Sequence, residues 1–479
     1  MAFRDLQEYI AELASRQELN KVGATVDPVL EATEIADRMV KSGGPALLFE
    51  HPAGSAYPLA MNLFGTEART CCALGVQSFD EIAERIKAFI PTGPVNSLGD
   101  TVKLLWNLKD IKNIQPKTLR SGPVQEVIER DPDLGSLPVL QCWPHDAGRF
   151  ITLPLVFTKH PETGLQNLGM YRIQLIDAKR AFMHWHLHHD GAGHHRLNQK
   201  AGRDTEVAIA LGGDPATIYA ATAPLPPGLD EILFAGFLRN RPVEMVRAQT
   251  VDLLVPAHAE FILEGTVSAT ETGREGPFGD HTGFYSDIDE YPVFHLKAIT
   301  RRKKPVYPAT IVGRPPMEDY YLGKATERIF LPLIKMQLPE IVDINFPCEG
   351  VFHNCVMVSI NKEYPGQARK VASALWGMGQ MMFTKTIIIV DADVDVQNCS
   401  ETAWIAFSNV DPQRDVFFTR GPLDVLDHAS PTPIYGSKAG IDATVKHKIE
   451  GHDRQWPDAI ATDDVTKKLV SSRWKEYGF

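Results

Sequence analysis

The chain has 479 residues, 44% hydrophobic and 23% charged, which allows two or three domains with separate cores and excludes disordered and fibrous classes. A formal net charge of -11, without any basic run, argues against nucleic acid as the main partner and leaves a small molecule. The first ten residues carry Arg4 and Asp5 and no apolar h-region, and no stretch reaches about 18 uninterrupted apolar residues, so a cytoplasmic protein without a membrane span is expected.

In chain order, Leu6, Tyr9, Ile10 and Leu13 predict an amphipathic helix over Arg4 to Leu19, and Asp27-Pro28 reads as the N-cap of a second helix through Val40. Ala46 to Phe49 and Tyr57 to Phe64 read as strands, Ser78 to Phe89 as a helix, and 110 to 124 as a connection. Cys71, Cys72, Cys142, Cys348, Cys355 and Cys399 show no C-x-x-C spacing, so reduced and mostly buried thiols are expected.

From Val124 strands dominate: Ile151 to Thr158, Glu206 to Leu211, Glu260 to Val267 and Val293 to Thr300, with helices capped by Asp214 and running over Asp230 to Leu238. Short strands around a helix suggest a barrel. Past Gly313, a helix over Glu318 to Met336, a strand Cys355 to Ile360, a helix Gly366 to Phe383 and a strand Thr386 to Val390 predict a parallel, doubly covered sheet. Asp391, Asp393 and Asp395 leave that strand and could bind metal, but three alternating acids leaving a sheet read first as solvated.

The chain is organised around Asn167 to His195, which holds six of the 16 histidines. Leu168 to Ile176 and Phe182 to His189 read as an antiparallel hairpin, with His184, His186 and His188 on one face and Met183, Trp185 and Leu187 on the other. Such a face is either solvated or a ligand site. Asn167 and Arg172 serve one site only if the chain bends, most easily at Gly169. A second candidate is the glycine-rich stretch Glu271 to Gly283, read as a loop that presents Glu275 and Asp280 as an acid and base. Lys438, within Tyr435 to Gly440, is a weak anion-binding candidate.

Phe3-Arg4-Asp5-Leu6, Ile35-Ala36-Asp37-Arg38, Gly43 to Phe49, Asn62 to Thr66, Asn167-Leu168-Gly169-Met170-Tyr171-Arg172, Glu275 to Gly283 and Gly436-Ser437-Lys438 together resemble the UbiD-type, prenylated-flavin-dependent decarboxylases. The resemblance runs in order from the first helix to about residue 445. It implies a flavin-binding split β-barrel (116-312) between an α/β N-terminal portion (1-115) and an α/β C-terminal oligomerisation domain (313-479), and an oligomer, dimer or hexamer. The Leu375-Trp376-Gly377-Met378 segment is expected to serve self-association.

It further implies reversible decarboxylation of an aromatic or heteroaromatic acid with prenylated FMN made by a separate flavin prenyltransferase, a divalent metal such as Mn2+, and K+ near the flavin phosphate. By the same resemblance Asn167, His188 and Glu231 are the metal ligands. Met170, Tyr171, Arg172, His184, Trp185, His186, His188, His189 and Lys438 face the cofactor. Arg172, Glu275 and Asp280 are the catalytic trio, with Asp280 as proton shuttle; beside an apolar ring and a second carboxylate its pKa is expected to be raised.

Ubiquinone-pathway members read Arg-Trp-Leu-Ser-His-Arg-Gly where this chain has His184 to Asp190, which weakens the polyprenyl-hydroxybenzoate alternative. A non-catalytic flavin-binding protein and a metal-dependent hydrolase built on the histidine strand are the rival readings.

Overall fold

The computed structural model describes residues 2–89, 113–186, 190–225 and 228–479. It opens with the helix Leu6–Ser15, which buries Leu6, Tyr9, Ile10 and Leu13 and is capped by the Asp5 carboxylate, accepting from the Glu8 amide at 2.8 Å. This helix is shorter than predicted. Gln17 adopts a left-handed φ of 61°, and Leu19–Val26 continues as a strand parallel to Ala46–Pro52. The second helix starts only at Glu31, because Asp27 accepts from the Val29 amide at 2.8 Å and forms a turn instead of a cap. Leu59–Met61 and, from far along the chain, Tyr307–Pro308 complete this four-stranded sheet.

Leu6, Tyr9, Phe64 and Phe79 share one continuous buried core with Leu155, Phe157, Ala208 and Ile262 of the central sheet. Asp5 reinforces that junction, since its carboxylate also accepts from Arg302 Nη2 at 2.9 Å. The N-terminal portion therefore depends on the middle of the chain for its burial.

Among the described residues nine strands make the central sheet, hydrogen-bonded in the order Phe150–Ile151, Ile173–Leu175, Arg180–Met183, Asp289–Arg301, Phe261–Glu275, Thr205–Leu211, Pro154–Lys159, Gln166–Gly169, with Val127–Glu129 paired to Asp289–Arg301. Gln166–Gly169 ends this order and Ile173–Leu175 stands second from the opposite end, yet only residues 170–172 separate them. Laid flat, the strands in between would hold these two about 29 Å apart at about 4.8 Å per step. The connecting chain reaches at most about 14 Å. The sheet must curl until its flanks approach, and Arg172 lies on the short crossing between them.

The C-terminal sheet runs Ile341–Asn345, Cys355–Ile360, Thr386–Asp391, Tyr435–Asp442, Val416–Pro422. It is mixed rather than all parallel: the three inner strands are parallel and both outer strands antiparallel. Residues 346–354 are too few for the crossover of about a dozen residues that a parallel pair needs. Its core, which includes Ile344, Val356, Val358, Val371, Leu375 and Ile389, is separate.

The helix expected over Gly366 to Phe383 is Gln367–Trp376 followed by a 3-10 turn at Gly379–Phe383. Ala368, Val371, Ala372 and Leu375 pack on the chain's own sheet, so the expected association face around Leu375 is already covered. Asp393 and Asp395 are exposed, as read from the sequence, whereas Asp391 accepts from the Val445 amide at 2.6 Å. Cys71, Cys72 and Cys142 are buried, and all the cysteines are free. Among the described residues no helix is long and apolar enough to cross a membrane.

Candidate active site

The crossing at 170–172 delivers the Arg172 guanidinium into the curl of the sheet. Its Nε and Nη2 donate to Glu275 Oε1 and Oε2 at 2.8 and 3.0 Å, a two-point grip that the planar fork of arginine permits. Nη1 donates to Asp280 Oδ2, and Nη2 also reaches Ser286 Oγ at 3.1 Å. The Phe278 ring centroid lies 4.9 Å from the guanidinium carbon.

Glu275 is the last residue of the strand Phe261–Glu275, so the first half of the stretch expected as a loop is paired sheet. Placing one carboxylate on a strand end fixes it more firmly than a loop would. Asp280 follows on the true loop, which Asp146 anchors: its Oδ1 accepts from the Gly279 amide at 2.8 Å, and its Oδ2 from the Cys142 and Trp143 amides at 3.0 and 2.8 Å. Gly279 is required there, because a Cβ would lie 2.2 Å from Trp143 Cδ1.

The strand expected over Phe182 to His189 ends at Met183. His184 is nonetheless buried, its Nδ1 3.0 Å from Glu275 Oε2 and its ring stacked on Tyr291 at 4.3 Å. His184 and His186 keep their shared side, with Nε2 atoms 2.6 Å apart. Trp185 turns the other way, into the core beside Tyr171 and His195. His188 and His189 lie outside the described residues.

Burial alone pushes the Glu275 carboxyl up, but hydrogen bonds from His184 and Arg172 and the Arg172 charge overcome it and hold the group down at about 2. Asp280 behaves alike: burial raises it, while His281 and Arg172 hold it far below the usual carboxylate range. The expected raised pKa of Asp280 is thus reversed. The second carboxylate that was to raise it is neutralised by the same arginine, and Asp280 rests as an anion.

Asn167 and Glu231 meet at a second place, where the Leu168 amide donates to Glu231 Oε2 at 3.0 Å and both residues line a cavity of about 220 Å³. Burial, together with Asp230 and Asp190 nearby, pushes Glu231 up to about 7 despite its backbone hydrogen bonds. A carboxyl raised by burial and by neighbouring acids, next to an amide oxygen, suits a hard divalent cation. Met170 packs at the edge of the first core, and buried Tyr171 folds back over Gly169.

Lys438 departs from expectation. It sits in the strand Tyr435–Asp442, not in an open glycine loop, and its buried ammonium donates to the carbonyls of Met382 and, at 3.1 Å, Thr384. Burial brings it down to about 8.

The sequence reading did not single out Asp146, Ser286, His281 or His353. His281 donates its amide to Asp280 Oδ1 at 2.7 Å, and its Nδ1 lies 3.0 Å from the same oxygen. Its Nε2 is 2.7 Å from Nε2 of His353, which belongs to the C-terminal part of the chain. Only the adjacency of His281 to Asp280 in the motif was available as a signal.

Three family models match along the chain: the N-terminal, Rift-related and C-terminal domains of 3-octaprenyl-4-hydroxybenzoate carboxy-lyase, at residues 10–86, 117–315 and 320–443. Uncharacterized proteins of Archaeoglobus fulgidus and Aquifex aeolicus are 51% and 48% identical over 478 and 480 residues, each alignment covering 99% of both chains. The chain belongs to the UbiD family of decarboxylases.

Among solved structures, vanillic acid decarboxylase of Sedimentibacter hydroxybenzoicus in closed form is 26% identical, with a TM-score of 0.86 over 100% of this chain and 99% of that one. The UbiD-class enzyme HmfF of Pelotomaculum thermopropionicum in complex with FMN is 27% identical, with a TM-score of 0.81 over 98% and 99%. An evolved dimeric form of HmfF in complex with prFMN is 25% identical, with a TM-score of 0.79 over 97% and 98%.

Proposed function

We propose that this protein decarboxylates, reversibly, a small aromatic or heteroaromatic carboxylic acid with prenylated FMN and a divalent metal, manganese being the first candidate, with potassium near the flavin phosphate. The observation that carries the reading is the buried Arg172–Glu275–Asp280 network, whose Asp280 lines a cavity of about 210 Å³ together with Trp143, Phe284, Tyr285, Asp37, Lys41 and Arg314. Aromatic walls with the cations Lys41 and Arg314 suit a flat ring bearing a carboxylate. The curled sheet is read as the flavin-binding split barrel, and a separate flavin prenyltransferase as the source of the cofactor.

Asn167 and Glu231 would hold the metal, with His188 as third ligand, and His184 and His186 would face the flavin. When bound, the prenylated flavin supplies the electron sink for the pair left on carbon as carbon dioxide departs. The chain's own residues supply orientation and a proton. Glu275 holds Arg172 by two points, Arg172 holds Asp280 through Oδ2, and Asp280 is the group that protonates the product carbon. Because Asp280 rests as an anion, it must be loaded with a proton in each decarboxylation and is ready as a base in the carboxylation direction.

The test is co-expression with a flavin prenyltransferase, an absorbance spectrum, and carbon dioxide release from a panel of aryl and heteroaryl acids. Flavin-bearing protein that releases carbon dioxide is expected. A colourless protein that nonetheless turns over would favour the hydrolase, and a flavin-bearing one inert on every acid the non-catalytic reading.

A further inference from the structure

Each decarboxylation fixes one proton on carbon, so an Asp280 that rests ionised and only 8% exposed must be reloaded every cycle. Its cavity face is the side a bound acid covers. Oδ2 is engaged by Arg172, which carries no proton it can give up. Among the described residues Oδ1 is met by His281, through its amide at 2.7 Å and its Nδ1 at 3.0 Å, and beyond it lies His353 Nε2, 2.7 Å from His281 Nε2. His281 and His353 are half-buried, as is Asp424 beside them, and His353 Nδ1 is itself buried without a hydrogen-bond partner among the described residues. The Phe352 ring stacks on His281 at 5.0 Å and 23°, which fixes the imidazole plane.

We propose that His281 is the proton reservoir that relays a proton to Asp280 and that His353, brought by the C-terminal part of the chain, is the positioning residue that holds the His281 ring by accepting at Nε2. The inference rests on the decarboxylase reading. As the product C–H bond forms, the Asp280 O–H bond breaks; the Nδ1–H bond of His281 then breaks to remake it. The neutral imidazole recovers its proton from solvent, so one solvent proton is consumed for each carbon dioxide released.

The surroundings favour a charged ring at His281. Burial disfavours it, but Asp280, Asp319 and Asp424 outweigh burial and raise its pKa. His353 is held down to about 4 by burial and by His281, against the pull of Asp424, Asp427 and Asp280, so it accepts from His281 and leaves the proton there. Arg172 is the other cation beside Asp280.

Two measurements decide the matter. In flavin-free protein, histidine-resolved NMR titration is expected to show His281 titrating above an ordinary histidine and falling in Asp280→Asn; an unchanged His281 titration overturns the pairing. In flavin-loaded protein, His281→Gln is expected to lose about 100-fold in kcat with little change in KM, to develop a larger solvent isotope effect, and to regain rate with added imidazole. His353→Gln is expected to lose about tenfold and to shift the alkaline limb of the pH profile downward, as a relay predicts and a packing defect does not.

A wild-type protein inert on every acid sinks the decarboxylase reading, while the titration still decides the pairing. Full turnover by His281→Gln of an active wild type sinks the relay alone. His281, His353 and Asp424 also offer ligand atoms within 4.8 Å of one another. Loss of a bound divalent ion in His353→Gln and Asp424→Asn, in step with lost activity and without imidazole rescue, replaces the relay with coordination.

Discussion

Arg172 and Glu275 meet through two parallel hydrogen bonds, 2.8 and 3.0 Å, with the carboxylate fully buried at the end of a strand and the guanidinium on the crossing that joins the two flanks of the curled sheet. This pair ties the candidate chemistry to the fold. Arg172→Ala should destabilise the protein by about 3–5 kcal/mol, because it strands a buried charge. Arg172→Lys keeps the charge but not the fork, so it should fold, bind flavin and turn over at least about tenfold more slowly. Denaturant unfolding and steady-state rates check both, and wild-type rates in Arg172→Lys would remove Arg172 from the mechanism.

The same pair sets a pH dependence. Glu275 falls from its usual 4.5 to about 2 on folding, so its contribution to stability is fully present above the unfolded value and disappears as pH drops through the folded one. Wild-type Tm should therefore decline between about pH 5 and pH 2, and Glu275→Gln should show a shallower decline over that window. Parallel Tm curves for the two proteins would contradict the pairing.

Asp280→Asn should retain flavin and metal yet lose both decarboxylation and hydrogen/deuterium exchange at the product ring, since both pass through one protonation. The expected loss is about 100-fold or more. Exchange at the normal rate would move the donor role to Glu275.

Glu231, at about 7, is partly protonated near neutrality, and a divalent ion needs its carboxylate. Calorimetry in buffers of different ionisation enthalpy should detect proton release on Mn2+ binding at pH 6 and much less at pH 8. Glu231→Ala should purify without metal or flavin. Full occupancy in that variant would reassign the ligand.

Self-association is expected through exposed aromatic side chains, not through the helix first suspected. Phe407 and Trp404, on the helix Cys399–Asn409, are 89% and 58% exposed. Phe407→Glu should shift light-scattering mass toward the monomer, and an unchanged mass would place the contact elsewhere.

Much of this protein is local and could be read from residue order alone. The helix stripe Leu6, Tyr9, Ile10 and Leu13, the hairpin between Ile173–Leu175 and Arg180–Met183, and the strands Cys355–Ile360 and Thr386–Asp391 follow from apolar period and turn chemistry. The motifs around Arg172, Glu275 and Asp280 likewise named the residues that meet, and the need for a bend near Gly169 was legible because side chains five apart on a straight strand face opposite ways.

What the linear pattern could not carry was pairing between distant segments. Only the sheet order shows that residues 170–172 bridge opposite flanks, which turns a local bend into a curl of the whole sheet. That curl brings Arg172 to Asp280, where the arginine joins the adjacent His281 in lowering a carboxyl that burial and a neighbouring acid were expected to raise. Lys438 shows the opposite error: a glycine-flanked lysine looks like a phosphate loop until strand pairing buries it against carbonyls. His353 lies 72 residues from His281, and no periodicity links them. Their contact exists because two separately cored parts of the chain pack together, a decision made by tertiary burial and not by local preference.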